Sequence, residues 1–249
     1  MTTLETPERQ APSREIAPSA PEVRIAVAAR YSVLGDLRFL AHHDELRMLS
    51  RALVRARWPL WFSRGFNPKP RLSLPVPRSV GMESTCQFAV LALREDAPCA
   101  ELSERLAAVL PTGAPLHEVL NPAPAWLRTP RAAAYEVTLP PQAVDGLDGA
   151  IAELLARPEL HVERTFGPKK PPRRIEIRRF VEELTLADGV LRMVLRYSQD
   201  STARPAEILT ALALGPLEHL VVRRVALAWN EHPAGAHAPR NSHEGNSLG

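Results

Sequence analysis

The sequence predicts an α+β fold made of two tandem ferredoxin-like (split βαβ) modules with antiparallel sheets and disordered termini. Three observations predict it. Residues 23–121 pass through periodic segments in the order β-α-β-β-α-β, the pattern of a split βαβ unit. Residues 133–230 repeat that grammar with an added hairpin. Residues 1–22 are rich in Pro, Glu and Ser and residues 231–249 are alike, so neither stretch has the apolar surface to offset its own ordering entropy. The Pro-rich residues 122–132, with Trp126 among them, read as a linker.

In the first module Val23 to Ser32 is a strand, with Val23, Ile25 and Val27 on one face at period two. Gly35-Asp36 signals a turn, and Leu37 to Leu40 resumes the strand. A helix follows, with Asp44 as its expected N-cap and Leu46, Leu49 and Leu53 as its buried stripe. Pro59 stops it. Leu60 to Ser63 is a short strand, Arg64 to Arg71 a glycine-initiated, proline-stiffened loop, and Gly81 opens a strand centred on Gln87 to Arg94. Asp96 is expected to cap a second helix over Pro98 to Leu110, and Leu116 to Leu120 closes the module.

In the second module the strand Ala134 to Leu139 precedes a helix over Asp145 to Arg157. Leu160 to Phe166 is a strand, residues 167–172 a basic loop, and Arg174 to Leu186 a strand. Asp188-Gly189 is a hairpin signal, and Val190 to Tyr197 returns from it. A helix over Pro205 to Leu214 and a strand over His219 to Trp229 complete the module.

Composition narrows the function. The formal net charge is only +3, but it is unevenly placed. From Arg30 to Arg78 there are ten basic and three acidic residues, and from Arg157 to Arg179 eight and three. Concentrated positive charge suits an anionic partner such as RNA. A GC-rich genome also favours Arg over Lys, and three of the 31 basic residues are Lys. Cys86 and Cys99 have no metal-ligand spacing, so neither a disulfide framework nor a metal site is expected, and a reducing cytoplasm is the default setting. No signal peptide and no run of eighteen apolar residues appears, so no membrane association is expected. Phosphate-loop, dinucleotide-binding, nucleophile-elbow, zinc-protease and CxxxCxxC motifs are absent, and no cofactor is expected.

The chemically marked positions lie between Leu37 and Ser84. His42, His43 and Asp44 fall at a strand-to-helix junction, where side chains are presented to ligands. His42 and Asp44 are the candidates for proton transfer, and capping roles are the alternative. Arg47, Arg51 and Arg55 recur at steps of four with no acidic residue at i±4. Gly65 permits a tight turn, Phe66 suits base stacking or a core plug, and Asn67 suits a polar base edge or a turn. Lys69 and Arg71 suit phosphates, as do Lys169, Lys170, Arg173 and Arg174 in the second module.

Residues 41–84 resemble the radical-SAM-linked family of unknown function. That family's pattern is Ser-His-Leu-Asp, an Arg-rich helix, Ser-x-Gly-Phe-Asn-Pro-His-Pro and Gly-x-Glu-Ser. His42 and Asp44 match the first motif; Ser63, Gly65, Phe66, Asn67, Pro68 and Pro70 the second; Gly81, Glu83 and Ser84 the third. Leu110-Pro111-x-Gly113 and the Ala133-x-Tyr135 feature also fit, and the likeness extends over about residues 23–230. Lys69 stands where the pattern has histidine. The resemblance implies association with radical-SAM proteins and, through gene context, with ribonucleases. It implies no established activity.

The expectation is a stand-alone, radical-SAM-associated accessory protein that binds RNA and assists its modification or processing. A metal-independent RNA endonuclease using His42 is one alternative, for which tandem ferredoxin-like modules offer a fold analogy. A protein-interaction module that presents substrate to a partner enzyme is the other. The sequence leaves the oligomeric state open.

Overall fold

The computed structural model describes residues 24–167, 171–198, 201–215 and 219–230. The expected tails at 1–22 and 231–249, with His232, His237 and His243, and the loop residues Lys169 and Lys170 lie outside the described residues.

The first half contains β1 (Ile25–Val33), α1 (His42–Arg55), β2 (Leu72–Ser73), β3 (Glu83–Leu93), α2 (Cys99–Ala107) and β4 (Leu116–Leu120). The second contains β5 (Pro130–Thr138), α3 (Leu147–Ala156), a two-stranded ribbon of β6 (His161–Arg164) and β7 (Arg173–Glu176), then β8 (Val181–Ala187), β9 (Val190–Arg196), α4 (Pro205–Ala211) and β10 (Val222–Trp229). Strand order is β4-β1-β3 with β2 beside β3 in the first half, and β10-β5-β9-β8 in the second. The pairings within each half are antiparallel. Each half therefore has the strand order of a split βαβ unit and is compatible with a ferredoxin-like module. The second differs by the β6–β7 ribbon inserted ahead of β8.

The halves share one sheet. β10 runs parallel to β3, matching Arg223 with Glu83 and Arg224 with Ser84. β10 takes the Glu83 end of β3's outer edge and β2 takes the other, where Leu72 faces Leu91.

Alternation along β1 sorts the layers. Val27, Ala29, Tyr31 and Val33 meet Leu49, Ala52 and Leu53 of α1 and Leu102 and Leu106 of α2. Each fully buried leucine contributes about 1.5–3 kcal/mol. Ala28 points to the opposite face, where Phe88, Leu127 and Trp229 pack together. Trp126 joins them, its ring centroid 5.4 Å from that of Trp229. The residues expected as a linker thus cover the sheet's second face, and β5 begins among them at Pro130. In the second half Tyr135, Val137, Leu191 and Met193 form one core with Leu147, Ile151 and Leu154 of α3 and Ile208 and Leu209 of α4. No helix among the described residues is long and apolar enough to cross a membrane.

Four local expectations are corrected. Residues Gly35–Phe39 form a 3-10 turn, not a resumed strand, because buried Arg78 gathers the carbonyls of Leu37 and Leu40 at 2.8 and 3.0 Å. Ala41 is the N-cap of α1, which begins two residues before Asp44. Pro98 is the N-cap position of α2; Asp96 instead accepts from the Ala97 amide at 3.0 Å and the Asn121 amide group at 2.7 Å. The expected strand from Arg174 to Leu186 is broken at Arg178–Phe180 by a 3-10 turn, whose Phe180 enters the core. The Asp188-Gly189 hairpin forms as expected, with φ of 51° and 73°, the type I′ pattern.

Candidate functional site

The start of α1 is positioned from below. Glu45 lies on the buried side of the helix, 1% exposed, and accepts the Tyr31 hydroxyl at 2.7 Å. Its other oxygen faces Arg78 Nε at 3.2 Å. Arg78 also donates to the Met82 carbonyl at 3.1 Å, besides its bonds to the turn ahead of α1. Burial, then Glu45, pushes the Tyr31 hydroxyl well above the usual phenol range, so it stays protonated as a donor. Burial lowers the Arg78 pKa, and the Glu45 carboxylate works against that shift. A charged residue at the 45-49-53 spacing of an apolar stripe was a legible signal of this ion pair.

A groove of about 420 Å³ opens between α1 and the loop that leads to β2. His43, Leu46, Arg47, Ser50 and Arg51 line it from the helix, and Lys69, Pro70 and Leu72 from the loop. The loop is closed by paired bonds between Ser63 and Lys69: Ser63 N–H to the Lys69 carbonyl at 2.8 Å, and Lys69 N–H to Ser63 Oγ at 3.0 Å. Phe62 bridges to Pro70 at its base. Gly65 turns the tip at φ +128°, where a side chain would be strained. Phe66 stands there fully exposed, which excludes the core-plug reading.

The structure therefore brings together Arg47, Arg51, Lys69 and His43. Arg47 is not unopposed, since Asp44 at i−3 accepts from it at 2.9 Å. Arg51 and Lys69 have no side-chain partner among the described residues. Arg55 lies off the groove and donates to the Val109 carbonyl at 3.0 Å, which ties α1 to the end of α2. The Arg71 guanidinium lies 5.3 Å from the Trp61 ring centroid, and Arg24 is at 4.2 Å from the same ring. His42 is exposed beside the groove with its ring 5.5 Å from that of His43. Gly65, Phe66 and Asn67 form the exposed tip of the loop whose Lys69 and Pro70 line the groove, and do not line it themselves.

On the β6–β7 ribbon Arg173 and Arg174 are exposed, and the Arg173 guanidinium lies 5.7 Å from the Phe166 ring. The ribbon's base is fixed by Arg164, which grips Glu207 of α4 with two bonds of 2.6 and 2.7 Å. Arg178 is likewise committed, donating to the Leu155 carbonyl at 2.8 Å. Part of the second basic cluster thus serves the fold.

Sequence reasoning missed a buried polar seam where the halves join. Arg224, 1% exposed, donates to the Gln87 side-chain oxygen, to the Val76 carbonyl at 3.0 Å and to Ser84 Oγ at 3.4 Å. No carboxylate reaches it among the described residues. Beside it, the Tyr135 and Tyr197 hydroxyls are 3.1 Å apart. Cys86 is buried there, and burial pushes its thiol up, away from the reactive thiolate. These partners are about 140 residues apart in sequence, which no local pattern reveals. Ser32 Oγ and His117 Nε2 are 2.7 Å apart, with the serine buried.

The family described as an uncharacterized protein conserved in bacteria (DUF2344) matches residues 26–205. The chain belongs to this family. No curated protein matches the sequence. Among solved structures, the crystal structure of an unknown protein from Galdieria sulphuraria is similar at 13% identity, covering 84% of this chain and 99% of that one. Its TM-score is 0.26, too low to support any argument. The family match covers α1, the groove and the loop, and it ends at the first residue of α4.

Proposed function

We propose that this bacterial-family domain is a cytoplasmic RNA-binding accessory module, working beside a radical-SAM enzyme or a ribonuclease and assisting RNA modification or processing. One observation carries the reading: Arg47, Arg51 and Lys69 converge on one open groove, and two of these cations are unneutralised by any described residue. Cations left without protein partners and facing solvent suit phosphate oxygens, which also supply entropy through counterion release. Arg71, Gly65, Phe66 and Asn67 extend the contact along the loop, and Arg173 and Arg174, with Lys169 and Lys170, supply a second one. His42 and Asp44, the candidates for proton transfer, lie next to groove-lining His43 in sequence, with Asp44 paired to Arg47. The resemblance to the radical-SAM-linked family supports the choice of partner.

The test is fluorescence anisotropy of a labelled RNA on the full chain across a salt series. Affinity should fall linearly on a log–log plot, and Arg51→Glu with Lys69→Glu should abolish it. Salt-insensitive affinity, or none, overturns the reading. Affinity purification from cells tests the second half, through recovery of a radical-SAM enzyme or a ribonuclease.

A further inference from the structure

We infer that the groove takes single-stranded RNA, with an unpaired base stacked on Phe66. The inference rests on the RNA-binding reading and specifies its substrate class.

The first observation is Phe66 itself. Its side chain is fully exposed, although burying an aromatic ring is favourable. The loop is not a loose excursion. The Ser63–Lys69 bonds close it, Phe62 and Pro70 bridge its base, and Pro68 and Pro70 restrict its backbone. A braced turn that holds an aromatic ring in water is preorganised for a flat apolar surface. Phe62 is also exposed on the same arm, at 42%.

The second observation is the company the ring keeps. Lys69 and Arg71 follow it within five residues, so an exposed aromatic ring and two cationic positions share the arm. That pairing of π-faces with a charged track is how proteins hold single strands without reading edges. Asn67, exposed next to Phe66, adds a donor and an acceptor for a base edge.

The third is scale. About 420 Å³ falls at the small end of ligand clefts and suits a nucleotide or two. A duplex hides its base faces in the stack and offers phosphates and groove edges instead. The Phe66 face would then contact nothing that it suits.

The experiment compares a labelled RNA of about twelve nucleotides with the same sequence closed into a hairpin stem, using the full chain at fixed salt. The single strand should bind at least about 10-fold tighter. Phe66→Ala should remove most of that preference while leaving the salt slope intact, and Phe66→Trp should restore it. Because Phe66 packs against nothing, the variants keep the wild-type fold, which circular dichroism checks. Equal affinity for strand and stem, with Phe66→Ala silent, overturns this inference and leaves RNA binding standing. Absence of salt-dependent binding to either RNA overturns the RNA reading and the inference with it.

Discussion

Glu83 divides its carboxylate between two neighbours: one oxygen accepts the Gly35 N–H at 2.9 Å and the other accepts Arg223 at 2.7 and 2.9 Å. The first bond holds the turn ahead of α1, and the second holds β10 against β3. Glu83 therefore connects the groove's foundation to the junction of the halves.

Burial raises the Glu83 pKa, but the Gly35 amide and the Arg223 guanidinium outweigh it and leave the pKa below its ordinary value. A carboxyl depressed in the folded state binds more protons when unfolded. Its contribution is present above the ordinary carboxylate pKa and is lost as pH falls through the depressed value. Glu83→Gln should cost about 1–3 kcal/mol at neutral pH. The gap to wild type in urea melts should narrow on acidification below pH ~4.5. A constant gap down to about pH 2 would remove this role.

Arg224 and Gln87 should be energetically coupled. Arg224→Met leaves the Gln87 oxygen and the Val76 carbonyl without their donor, at about 1–3 kcal/mol each. Gln87→Leu added to it removes one of those orphans, so the double variant should be more stable than the sum of the singles. Strict additivity in a double-mutant cycle would show that the two do not interact.

Charge reversal should separate the arginines of α1. Arg51→Glu should weaken RNA binding about 10-fold or more and leave the melting temperature within about 2 °C. Arg55→Ala should do the reverse, because it removes the bond to Val109 and takes no part in the groove. Its expected cost is about 0.5–1.5 kcal/mol, read by thermal melting.

Gly113→Ala tests a close approach. A Cβ there would lie 2.7 Å from the Leu34 carbonyl oxygen, which is backbone and cannot rotate away. The same two residues share a bond from Leu34 N–H to the Gly113 carbonyl at 2.8 Å. Destabilisation by about 1–3 kcal/mol is expected, lowering the melting temperature by roughly 2–4 °C per kcal/mol. An unchanged melt would mean the backbone yields there.

Much of this fold was legible because local patterns carried it. Alternation marked β1, helical spacing marked α1, and the Asp188-Gly189 pair marked its hairpin. The groove was half legible: the arginine stripe and the Gly65 loop were visible, but their neighbourhood depends on β2 reaching β3. Asp44 was misread because a helix start is set by backbone geometry at Ala41 as much as by a capping side chain. Residues Leu37 to Leu40 were misread because a distant guanidinium, Arg78, decides their conformation. Arg224 and Gln87 were invisible for the same reason: long-range partners leave no spacing to read.

The last described strand in sequence sits in the middle of the sheet. Synthesis on the ribosome delivers β1, β3 and β4 long before β10, so the Glu83 end of β3 emerges with unpaired backbone groups. Its eventual neighbour is about 140 residues downstream. Until then that edge is open to any passing strand, and the nascent chain has to be shielded or finished quickly. A chain terminated before Val222 should be recovered from cells in the insoluble fraction, not as a smaller soluble unit.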